Sequence, residues 1–66
     1  MNNTDKELIK LLKMIFNNYD FILGVISEVK NKEDKKDLIN YIKSNPNITA
    51  EEISLISLEY LNKAQQ

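Results

Sequence analysis

The stretch "EVKNKEDKKDLI", residues 28–39, decides how many helices this chain has. Apolar residues recur at helical spacing on both sides of it, so one long helix and two short ones are the alternatives. Its centre, NKEDKK at 31–36, holds no apolar residue, and a helix running through would present two turns with nothing to bury. A break fits better. Asn31 then serves as an N-cap, with Glu33 and Asp34 in the first turn, where the helix dipole favours negative charge. This reading separates a second helix over 19–30 from a third over 32–44.

Outward from the break, the second helix carries Phe21, Ile22, Val25, Ile26 and Val29 as one stripe, widened by Tyr19 and Leu23. The chain's one glycine, Gly24, falls inside it. A helix-interior Gly costs about 0.8–1.0 kcal/mol relative to Ala, which predicts a close approach of another helix there. Before it, "NN" at 17–18 interrupts a first helix over 5–16. That helix is read as starting at a Thr4–Glu7 capping box, with Asp5 in its first turn. Leu8, Leu11, Leu12, Ile15 and Phe16 form its apolar face, Ile9 flanks it, and Lys6, Lys10 and Lys13 lie opposite.

After the break, Leu38, Ile39, Tyr41 and Ile42 mark the third helix, and Pro46 in "SNPN" forbids its continuation. Thr49 and Glu52 form a second capping box, with Ile48 and Ile53 placed as its hydrophobic staple. The fourth helix is expected over 49–64. The fold class is therefore all-α, a small four-helix domain with short loops, occupying 1–66 as a single unit.

Composition narrows the function classes. The 66 residues include no Cys, no His and no Arg, so disulfides, thiolate or imidazole metal sites and Ser-His or Cys-His pairs are excluded within one chain. No Gly-rich phosphate loop is present. Glu33, Asp34 and Asp37 are the one dense carboxylate group, read as helix N-terminal stabilisers and not as a cation site. No enzyme activity and no cofactor are expected. At 42% apolar and 29% charged, the balance is that of a globular chain. The apolar runs fall short of the ~20 residues a membrane span needs, and the N-terminus lacks a signal-like apolar region, so a cytoplasmic protein is expected. Lysine as the sole basic residue, with many Asn and Ile, matches the bias of AT-rich bacterial or phage genomes.

"LINYIKSNPNITAEEIS", residues 38–54, resembles the first two helices of many winged helix-turn-helix regulators, where a helix ending in an "NP" turn precedes an "IT-x-E-E-I" helix. The resemblance covers about a quarter of the chain and implies DNA binding. This sequence departs from the pattern after it, because "LISLEYLNKAQQ" continues as helix where a recognition helix would follow. Glu51, Glu52 and Glu59 against Lys63 also give that part a negative charge, which repels phosphates. The run Lys30, Lys32, Lys35 and Lys36 interleaves with acids and reads as a solvated face. A membrane-surface role for the first helix competes with bundle packing, and the need of the other helices for something to bury against favours the bundle.

A helical wheel then isolates a contact surface. With Ile53 at zero, Ile56, Tyr60 and Ala64 cluster near it, whereas Leu58 falls about 140° away and Leu55 about 200° away. So short a chain has difficulty covering its last helix on all sides. Leu55 and Leu58 are therefore the candidate partner-binding residues, with Met14, off the main face of the first helix, extending the patch. The expected partner is another protein or a second copy of the chain, a homodimer being one way to complete so small a core. Nucleic acid and membrane surfaces are disfavoured.

Overall fold

Residues 2–65 are described by a computed structural model of the chain. Four helices account for it: α1 (Asn3–Ile15), α2 (Tyr19–Glu28), α3 (Lys32–Ser44) and α4 (Ala50–Ala64). Among the described residues there is no strand.

Each helix starts on a side-chain oxygen that accepts from an orphan backbone N–H, an arrangement contributing about 1 kcal/mol per helix. Asn2 accepts from the Asp5 N–H at 2.8 Å, Asn18 from Phe21 at 3.1 Å and Asn31 from Glu33 at 2.9 Å. At α4, Thr49 accepts from the Glu52 N–H at 3.2 Å while the Glu52 carboxylate accepts from the Thr49 N–H at 3.4 Å. The predicted box at 49–52 is thus formed.

The predicted box at Thr4–Glu7 is not formed. Asn2 caps α1 two residues upstream, and Thr4 turns inward and is buried. Asp5 stays in the first turn, and its carboxylate accepts from the Lys35 ammonium of α3 at 2.6 Å, with both side chains largely buried. At the other end α1 closes at Ile15, one residue short of expectation, with Phe16 as its C-cap. α2 stops at Glu28 and not at 30, with Val29 as C-cap and fully buried. Its side chain belongs to the core although its backbone has left the helix.

The core is one cluster: Leu8, Ile9 and Leu12 from α1; Ile22 and Val25 from α2, with Val29; Leu38, Ile39 and Ile42 from α3; Ile48; and Ile53. α1 packs on α3 and on α2, and α4 packs chiefly on α2. Side-chain contacts fix the directions. Asp5–Lys35 joins the first turns of α1 and α3, and Leu11 and Ile15 lie beside Ile42 and Lys43 near their ends, so those two run side by side in the same sense. Lys63 near the end of α4 lies 3.7 Å from Asp34 in the first turn of α3, so α3 and α4 run oppositely. Phe16 and Phe21 close the α1–α2 corner edge to face, ring centroids 5.3 Å apart.

α4 adds a single apolar residue, Ile53, to the buried cluster; Ile56 and Tyr60 only pack against its edge. It is a terminal helix covered on one side, not a central one wrapped by α1 and α2. The close approach predicted at Gly24 is also absent. A Cβ built there meets nothing within 4 Å, so the glycine carries its helix cost without a packing return.

Candidate functional site

On α4, the residues that face away from Ile53 are the exposed ones. Leu55 is 63% exposed and Leu58 46%, against 0% for Ile53. Successive residues turn about 100°, so Leu55 and Leu58 lie about 60° apart and form one short stripe. Glu51 and Glu59 lie beside it and are exposed as well, whereas the Glu52 carboxylate turns back to Thr49 and lines the α3–α4 loop.

The stripe opens on one side into a shallow groove lined by Phe21, Ala50, Glu51, Ser54 and Leu55. The first turns of α2 and α4 build it. Asn18 and Thr49 start the two helices side by side, Phe21 presents part of its ring between them, and Ala50 and Ser54 are too small to fill the gap. Phe21 was legible in the sequence only as a member of the α2 core stripe. Its second role depends on α4 lying alongside, which periodicity within α2 does not encode.

Met14 is the most exposed large apolar residue, at 76%. It lines a different groove with Leu11, Ile15, Ile42, Lys43 and Pro46, where the ends of α1 and α3 meet. The two grooves share no lining residue. Met14 thus edges the α1–α3 groove, while α4, which carries Leu55 and Leu58, packs chiefly on α2.

Ser27 donates to the Gly24 carbonyl at 2.9 Å, and Ser57 is fully buried with no partner for its Oγ. Lys35 and Lys43 donate to Asp5 and Glu7. Among the described residues no group of three or more acids, His or Cys is placed to hold a metal. The Tyr60 hydroxyl is held above its ordinary pKa of 10.0, first by burial and then by the carboxylates of Asp37, Asp34 and Glu59. No described helix is long and apolar enough to cross a membrane.

The segment 38–54 does fold as a helix, a short loop and a second helix. Its second helix starts with Glu51 and Glu52, both exposed. No protein-family model, no curated protein and no solved structure matches this chain.

Proposed function

We propose that this chain is a non-enzymatic protein–protein interaction module, a regulator or inhibitor of a larger cytoplasmic protein, with its contact surface on the outward face of α4. The observation that carries the reading is the exposure of Leu55 and Leu58 side by side on the helix that contributes least to the core. Exposed apolar patches next to a groove are where partners dock. The two exposures sum to about one leucine, so covering both is worth about 1.5–3 kcal/mol, or roughly 10–150-fold in affinity. Met14 and its groove on the α1–α3 side supply a separate apolar contact point.

DNA contact through 38–54 is the second reading, and the helix–loop–helix corner supports it. Against it stand Glu51 and Glu52 at the start of the helix that would approach phosphates, and the engagement of Lys35 and Lys43 with Asp5 and Glu7.

The test is affinity capture from the source cell with the wild-type chain and with Leu55→Asp/Leu58→Asp. Both sites are exposed, so the variant is expected to stay folded, checked by circular dichroism. A protein retained by the wild type and lost by the variant supports the reading. Equal recovery of every partner rejects the leucines as the contact.

A further inference from the structure

The way the helices pair sorts their lysines. α1 and α3 carry seven of the nine lysines with five of the ten acids, and two of those lysines are tied to Asp5 and Glu7 on the same pair of helices. α2 and α4 carry Asp20, Glu28, Glu51, Glu52 and Glu59 and one lysine, Lys63, whose ammonium lies 3.7 Å from Asp34 on α3. The groove of Phe21, Ala50, Ser54 and Leu55 is built by the acidic pair. Glu51 lines it directly, and Glu51 and Glu59 lie about 40° to either side of Leu55 around α4. A chain of net charge −1 thus presents Leu55 between two carboxylates, with Leu58 on the side of Glu51.

Resting on the contact surface proposed above, we infer that the occupant is an amphipathic helix of a different protein, with an apolar stripe flanked by Lys or Arg. The stripe lies over Leu55 and Leu58 and into the Phe21 groove, and its basic flanks meet Glu51 and Glu59. Helices recognised in this way read as apolar anchors at i, i+3, i+4 and i+7, and complementary charge selects among them.

The same charges argue against a second copy of the chain. A two-fold contact centred on Leu55 sets Glu51 of each copy against Glu59 of the other, where like charges repel. Contact between this face and the lysine-rich α1–α3 side is head to tail, so each addition leaves both faces free and growth does not close. A foreign basic helix satisfies both the apolar and the charged requirement and ends the assembly.

Two synthetic helical peptides of about 18 residues test this, identical in their leucine stripe and flanked by Lys in one and Glu in the other. Each is titrated into the full 15N-labelled chain, followed by the resonances of Phe21, Leu55 and Leu58. The Lys peptide is expected to shift these three and to bind at least about tenfold tighter than the Glu peptide at about 50 mM salt, the advantage shrinking at about 0.5 M. Glu51→Gln/Glu59→Gln is expected to bring the two peptides level, and Glu51→Lys/Glu59→Lys to reverse the preference. Equal binding of both peptides at the leucines overturns the basic partner while leaving the surface as a contact. No shift from either peptide overturns both. Concentration-dependent shifts of Leu55 and Leu58 without peptide overturn the basic partner in favour of a second copy.

Discussion

Replacing Ser57 with alanine is expected to stabilise the fold, an unusual outcome for a change at a fully buried position. Ser57 follows Ile53 by one turn on the inward face of α4, is 0% exposed, and its hydroxyl has no hydrogen-bond partner. Burying a hydroxyl without a partner costs about 1–3 kcal/mol, which Ser57→Ala recovers. Alanine adds roughly 0.5 kcal/mol of helix preference over serine. The space left by one oxygen, smaller than a methyl group, subtracts less than about 1 kcal/mol. The net gain is about 1–2 kcal/mol. In a domain of this size each kcal/mol moves Tm by about 4–8 °C, so Tm should rise by about 5–15 °C. Thermal melts by circular dichroism read this directly. Urea melts should show a higher midpoint at unchanged slope, as expected if the folded state alone is affected. A fall in Tm would refute the reasoning, because it would mean that the hydroxyl is bonded in the folded chain, to the Ile53 carbonyl one turn back or to a buried water.

Three further outcomes follow from features on α1, α2 and the α3–α4 contact. Gly24→Ala should stabilise by about 0.8–1.0 kcal/mol, since an added Cβ meets nothing within 4 Å; a lower urea midpoint would mean that a neighbour does come close. Lys35→Met strands the largely buried Asp5 carboxylate and should cost about 1–3 kcal/mol, while Asp5→Leu/Lys35→Met should recover much of it; a double variant as weak as the sum of its single changes would contradict the pairing. For Tyr60 the folded chain holds the phenol proton more tightly than the unfolded chain, whose phenol titrates at about 10. Its contribution is therefore complete below pH ~10 and is lost as pH rises through the higher folded value. Urea melts between about pH 9 and 11 should show a steeper alkaline loss for the wild type than for Tyr60→Phe, and parallel curves would contradict this.

Much of the fold was legible because the deciding signals are local. Asn31 and Thr49 are caps whose partners lie two and three residues on, and the apolar-free stretch at 31–36 needs no tertiary knowledge to be read as a break. The misread positions are those where a distant residue decides. Both Asn2 and Thr4 are good caps; Asn2 takes the role, Thr4 is buried against the other helices, and Asp5 pairs with the Lys35 ammonium thirty residues away. Val29 fits helical spacing and is buried, yet it lies just outside α2. Gly24 carries a local penalty with no compensating contact, so inferring a packing role from it failed.

The candidate site was legible to the same depth. The wheel position of Leu55 and Leu58 relative to Ile53 predicted their exposure, because it needs only the period of one helix. Placing Met14 required knowing which helix flanks which: 76% exposed, it edges the groove where the ends of α1 and α3 meet. Phe21 as a groove wall and the concentration of lysines on α1 and α3, which leaves the carboxylates of α2 and α4 largely unbalanced, depend on the same pairing, which no single-helix pattern carries.

Because the chain has no cysteine, thiol reactivity of single-Cys variants gives the most direct reading of the central proposition, that Leu55 and Leu58 face solvent on a helix anchored by Ile53. Leu55→Cys and Leu58→Cys should react with a neutral maleimide at nearly the rate of the urea-unfolded chain, and Ile53→Cys should be protected at least about 100-fold, since its thiol reacts only when α4 opens. Protection of positions 55 and 58 to the level of position 53, independent of protein concentration, would contradict it.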